Sequence, residues 1–154
     1  MRARLPAAAC CLLGGLISAM TLIRVVLVPW WQGLSPSEFR AWFRSNGKRI
    51  GAVMIPLGVS SAVAVTGACV FDRQRGSKLA AIATVGVVGI TVAVNEPLNE
   101  RFWSDEPMTD RETTEALERW ALWHDVRVAL GLVAVAAATR RLTRSTPTYR
   151  ATAP

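Results

Sequence analysis

The chain's 154 residues carry a formal charge of +7, yet 51% of them are hydrophobic, and the basic side chains fall between long uncharged runs. That pattern reads as a set of membrane-topology signals and argues against a nucleic-acid partner. The length suits one membrane domain over residues 1–154, with no internal repeat or separate soluble unit.

The first uncharged run, Leu5 to Ile23, is nineteen residues long and resumes after Arg24 as far as the Trp30-Trp31 pair. Arg2 and Arg4 before it, with Ile17-Ser-Ala19 as a cleavage site, also fit a signal peptide. The resumption after Arg24, ending in tryptophans suited to a membrane interface, favours a span. The segment from Ser35 to Arg44 follows, with Phe39, Trp42 and Phe43 on one helical face and Arg40, Arg44 and Lys48 largely on others. It is expected to form a short interfacial helix, with Trp42 as an anchor or as a lid residue touching substrate.

Ile50 to Phe71 is an uncharged run of twenty-two residues and Leu79 to Asn95 one of seventeen, each long enough to span. The second of these ends in Asn95-Glu-Pro97-Leu-Asn99. The two asparagines share a face if the helix continues through Pro97, which removes a backbone donor and frees the Ala93 carbonyl. Read blandly, the same residues are a helix stop. Thr109-Asp-Arg-Glu112 then fits a capping box that starts the fourth helix near Asp110.

From Val128 to Thr139 only twelve uncharged residues precede Arg140-Arg141. At ~1.5 Å per residue they cover about 18 Å of a ~30 Å hydrocarbon core. The fourth span must therefore begin near Trp120, which brings His124, Asp125 and Arg127 to membrane depth, where ionisable groups are costly and by default functional. Trp120, His124, Arg127 and Gly131 recur at spacings of four, three and four and form one stripe, flanked by Trp123. Gly131 leaves room below it for a close helix or a ligand. Asp125 is about 100° round the helix from the only histidine and cannot orient it. It lies at a depth comparable to Arg24, so a buried ion pair between the two is expected.

The expected fold is all-α, an integral membrane four-helix bundle. Its spans fall near residues 6–30, 50–71, 79–97 and 118–140, with a polar tail over 141–154. The bias of Lys and Arg, including Arg2, Arg73, Arg75, Lys78 and Arg140, places both termini in the cytoplasm of a plasma-membrane protein. Cys10, Cys11 and Cys69 lack the Cys-x-x-Cys spacing of disulfide-forming membrane enzymes and read as small buried hydrophobes.

Asn-x-Pro-x-Asn closing a third span, followed by Trp-x-x-Trp-His-x-x-Arg opening a fourth, resembles the anthrone-oxygenase-like family of small membrane proteins. Asn95, Pro97, Asn99, Trp120, Trp123, His124 and Arg127 carry the likeness. It implies oxidation of a lipid-soluble polycyclic phenol to a quinone by molecular oxygen in polyketide biosynthesis, with no cofactor. On that reading His124 is the base and Arg127 stabilises negative charge on oxygen. Trp120, Trp123 and Trp42 offer substrate-binding faces, and Asn95 and Asn99 offer hydrogen bonds. Two other readings stand beside it. His124 with Glu96, Glu100 or Asp125 leaves a metal-dependent oxygenase open, although no metal-ligand spacing supports it. The polar cluster also suits a non-enzymatic scaffold or accessory subunit, alone or in an oligomer, in which it only staples helices together.

Overall fold

Two prolines shape the backbone. The computed structural model describes residues 4–71 and 75–145; Arg2, Arg73 and the tail beyond residue 145 lie outside them. The first span is α1 (Arg4–Leu22), a π-helical turn (Ile23–Leu27) and α2 (Val28–Gln32). Pro29 has no N–H and its ring would clash with the Val25 carbonyl in a regular α-helix. The wider turn relieves this, and the Val28 N–H reaches back five residues to the Ile23 carbonyl. The third span repeats the device as α4 (Arg75–Ile90), a π-turn (Thr91–Asn95) and α5 (Glu96–Trp103). Pro97 stands two residues past that turn, and the Glu96 N–H donates to the Thr91 carbonyl. The helix therefore continues through Pro97, and the residues around it are not a stop signal.

The other two spans are single helices, α3 (Pro36–Phe71) and α6 (Asp110–Ser145). At 36 residues each they run about 54 Å, so their ends project beyond the hydrocarbon core. α6 starts where its capping box places it: the Glu112 amide donates to Thr109 Oγ1 at 3.2 Å and the Thr109 amide to Glu112 Oε2 at 2.8 Å. A second box starts α3, with the Ser35 amide donating to Glu38 Oε2 at 2.9 Å.

Among the described residues, four helices long and apolar enough to cross a membrane pack in a ring, α1 against α3 and α6, and α4 against the same two. Large apolar side chains such as Val25, Val63, Ile82 and Leu122 face outward, while Ser61, Thr84, Asn95, His124 and Arg127 are buried. This inside-out arrangement requires an apolar surrounding such as lipid or detergent. The protein is an integral membrane four-helix bundle.

The separate interfacial helix expected after Ser35 does not exist. Residues 36–49 are the first turns of α3, and their apolar face is covered by protein: Phe39 and Phe43 are buried against Trp31 and Phe102. The basic face is used too. Arg40 donates to the Ser104 and Glu106 carbonyls and Arg44 to Ser104, tying down the loop after α5. The cysteines also depart from expectation. Cys10 and Cys69 are half-buried and Cys11 is exposed on the outer surface, where lipid tolerates a thiol as readily as a core does.

Gly131 accommodates a helix. A Cβ built there would lie 1.9 Å from Ile17 Cδ1 and 2.8 Å from its Cγ1, so α1 and α6 touch across it. Gly131→Ala is therefore expected to lower stability by about 1–3 kcal/mol through overpacking. Ile17→Ala in the same chain should restore part of the loss, as read from thermal unfolding in detergent.

Candidate functional site

Trp120, His124 and Arg127 face the bundle interior from successive turns of α6. The Trp120 indole stacks on the His124 imidazole, with centroids 4.8 Å apart and planes 10° from parallel. The Arg127 guanidinium carbon lies 5.7 Å from the centre of the same indole. His124 is 1% exposed and Arg127 8%, so both must find their partners within the protein.

Those partners define the histidine's protonation. Arg127 Nη2 donates to His124 Nδ1 at 2.7 Å. A guanidinium has no acceptor, so Nδ1 must carry a lone pair there. The other ring nitrogen, Nε2, then bears the proton and donates to the Met20 carbonyl of α1 at 2.9 Å. His124 is thus held as a neutral Nε2–H tautomer whose basic nitrogen is covered by Arg127. Arg127 Nη1 donates to Thr91 Oγ1 at 3.0 Å, and Thr91 in turn donates to the Val87 carbonyl at 2.8 Å.

The third span closes the other side. Asn95 Nδ2 donates to the Trp120 carbonyl at 3.3 Å. The Trp120 indole N–H donates to Asn99 Oδ1 at 2.9 Å, and Asn99 Nδ2 to Glu96 Oε1 at 3.1 Å. Two buried atoms here lack partners among the described residues: the acceptor Asn95 Oδ1 and the donor Arg127 Nε. The site is therefore short of one donor and one acceptor, which suits a bound hydroxyl, carbonyl or water.

Asn95, Asn99, Trp120, His124 and Arg127 come together as one cluster, whereas Trp123 and Trp42 stand apart from it. Trp123 is half-buried and makes no hydrogen bond or ring contact within the described residues. Trp42 packs on Trp30 and Trp31, and Trp31 in turn meets Trp120 edge-on with centroids 5.5 Å apart. Trp42 is thus one ring removed from the cluster.

Sequence reasoning missed Met20, Thr91 and Trp31. Thr91 sits four residues before Asn95, a readable spacing; Trp31 looked like an interface residue, and the Met20 contact is through its backbone and leaves no sequence signal. Among the described residues no group of three or more His, Cys, Asp or Glu side chains lies close enough to hold a metal ion.

Arg24 and Asp125 form the expected ion pair, Nε to Oδ1, between the first and fourth spans. It is less enclosed than expected: the side chains are 37% and 45% exposed, where the π-turn of the first span meets α6.

Residues 39–137 match the sequence profile of the anthrone oxygenase family, well over half of the chain. The chain belongs to the anthrone oxygenase family. The match takes in Trp42, both asparagines and the whole α6 stripe, but begins after Met20, Arg24 and Trp31. No curated protein and no solved structure matches the chain.

The Arg24–Asp125 pair carries a stability test. Arg24→Leu or Asp125→Leu alone leaves one charge unpaired at membrane depth, whereas the double variant leaves none. Each single variant is expected to melt below the double in lipid nanodiscs. Equal or smaller losses in the singles would show that the pair is not coupled.

Proposed function

We propose that this protein is a membrane-embedded oxygenase that converts a polycyclic phenolic, anthrone-like substrate and molecular oxygen into a quinone and water, without a cofactor. The buried Arg127–His124 pair carries the reading, because it combines a base and an oxyanion partner in one low-dielectric site. Family membership supports it at the level of an oxygenase-like role.

The chemistry follows from the hydrogen bonds. An anthrone carries a CH2 flanked by two aryl rings, opposite a ketone. When the ketone oxygen takes the Arg127 N–H now given to His124, Nδ1 is uncovered and removes a CH2 proton. The enolate charge rests against Arg127, and the imidazolium keeps its Nε2–H on the Met20 carbonyl. The carbanion carbon bonds to O2, which takes up the electrons, and the peroxide is protonated by His124. Loss of the second CH2 proton with cleavage of the O–O bond leaves a new C=O and expels water. One oxygen atom enters the quinone and the other leaves as water. Asn95, Asn99 and Trp120 position the ring system, Trp123 and Trp42 offer peripheral aromatic faces, and a lipid-soluble substrate accounts for a site at membrane depth. We place both termini in the cytoplasm of the plasma membrane, in keeping with the basic residues at that end of the bundle.

His124→Gln separates catalyst from staple. A glutamine side chain can donate its amide N–H to the Met20 carbonyl and accept from Arg127, so both hydrogen bonds are replaceable while the base is not. Quinone formation from a hydroxylated anthrone by the purified protein is expected to fall 10²–10⁴-fold with the melting temperature nearly unchanged. Wild-type turnover in the folded variant would refute the base assignment. Loss of activity only in proportion to folded protein would favour the scaffold reading.

Arg127→Lys keeps the charge but loses the planar fork that serves both His124 and Thr91. Turnover is expected to drop roughly 10²-fold, on the scale of a lost oxyanion donor. Activity that disappears with a chelator and returns with added metal would instead establish a metal-dependent enzyme.

A further inference from the structure

The ion pair at membrane depth is only partly satisfied within the chain. Arg24 Nε donates to Asp125 Oδ1, but Arg24 Nη1 and Nη2 and Asp125 Oδ2 make no hydrogen bond among the described residues. The two side chains stay 37% and 45% exposed, so these free atoms reach the outside of the bundle. Arg24 lies roughly 10 Å along the first span from the Trp30-Trp31 pair, where the surroundings are hydrocarbon. Lipid tails neither donate nor accept, so every polar atom left open there costs free energy. Around the pair the surface is apolar: Leu22, Val25 and Val26 on the first span and Leu122 and Val126 on α6 are all exposed.

We propose that this face is the interface with a second copy of the chain, in which the Arg24–Asp125 pair of each protomer completes that of the other. The inference does not depend on the oxygenase reading. Two copies inserted in the same direction form a closed dimer about a two-fold axis along the membrane normal, so each residue meets the other copy at its own depth. The patch must then be complementary to itself. Arg24 and Asp125 touch and therefore share one depth, which lets the free Nη groups of each protomer donate to the free Oδ2 of the other. Four charges of alternating sign close into a ring that carries no net charge through hydrocarbon.

The neighbouring side chains suit close approach. Leu122, Asp125, Val126 and Ala129 recur at spacings of three and four along α6, and all four are exposed or half-buried. The small Ala129 lets a second backbone come near, as small residues do between membrane helices. Other occupants fit less well. An anionic lipid headgroup would satisfy Arg24 but be repelled by Asp125, and it lies outside the hydrocarbon. A partner with a single charge would complete one member of the pair and leave the other open. A face with both signs at one depth completes both, and this chain itself supplies one.

The test follows energy transfer between donor- and acceptor-labelled copies of the full-length protein in phosphatidylcholine vesicles, whose headgroups carry no net charge. Transfer in the wild type should fall as the protein is diluted in lipid, as a reversible dimer requires. Arg24→Leu combined with Asp125→Leu removes both charges and leaves none unpaired. Its association is expected to weaken about tenfold or more while helix content is kept. Ala129→Trp, at an exposed position with the ion pair intact, should weaken association to a similar extent. Charge reversal separates pairing between copies from pairing within one. Arg24→Glu presents two negative charges and Asp125→Lys two positive ones. Each alone should associate about tenfold more weakly or worse, and an equimolar mixture should return to within about threefold of wild type. Wild-type transfer in the double leucine variant would overturn the proposal. So would a mixture no better than its components, or a wild-type protein that is monomeric at every dilution. If the reversed variants do not fold, the double leucine and Ala129→Trp variants decide.

Discussion

A guanidinium enclosed by four apolar helices is cut off from bulk water, so the protein must supply most of its solvation. Arg127 obtains this from the His124 ring nitrogen, the Thr91 hydroxyl and the face of Trp120. The histidine's state and two inter-helix contacts follow from that requirement. Because Arg127 can only donate, it fixes the histidine tautomer. The tautomer sends the other ring N–H to the Met20 carbonyl, which binds α1 to α6. The Thr91 contact binds the third span to α6. One buried charge thereby locks three of the four spans in register, at a depth where a misplaced charge would cost several kcal/mol.

The two π-turns lie at the level of this site: one opens with Thr91, and the other begins three residues after Met20. Pro29 and Pro97 each stand two residues beyond a five-residue wide turn, in the first and third spans. Each turn inserts one extra residue and rotates the following helix face by about 100° relative to an uninterrupted α-helix. Arg24 lies within one turn, and Thr91 and Asn95 at the ends of the other, so both prolines serve the level of the bundle where α6 carries its polar stripe. π-turns of this kind persist where function repays the loss of regular hydrogen bonding.

The bundle is uneven along its length. Towards the termini, Ala9, Ala64, Ala68, Ala80, Ala83, Ala134 and Ala137 form a core of small side chains that lets backbones approach closely. Towards the loops, Trp31, Phe39, Phe43, Phe102 and Trp120 fill the core with aromatic rings. One end is thus packed with small side chains and the other with rings. The polar cluster joins the aromatic end through Trp120, which meets Trp31 edge-on.

Much of this was legible from local patterns. Four apolar runs required four spans, the shortness of the last one drew His124 and Arg127 into the membrane, and the Thr109–Glu112 box marked the start of α6. Spacings of three and four along one helix placed Trp120, His124 and Arg127 on a single face, and comparable depth paired Arg24 with Asp125. These inferences needed only helical geometry and the cost of a charge in hydrocarbon. The tertiary structure alone decided what those faces meet. It filled the space beside Gly131 with Ile17, turned Phe39 and Phe43 from an expected lipid surface onto Trp31 and Phe102, and left Trp123 outside the cluster. It also chose Met20 and Thr91 as partners for His124 and Arg127. The physical reason is separation along the chain: residues 104 and 36 positions apart meet only through the register of packed helices, which the π-turns reset by one residue, and a backbone carbonyl such as that of Met20 has no side-chain identity to read.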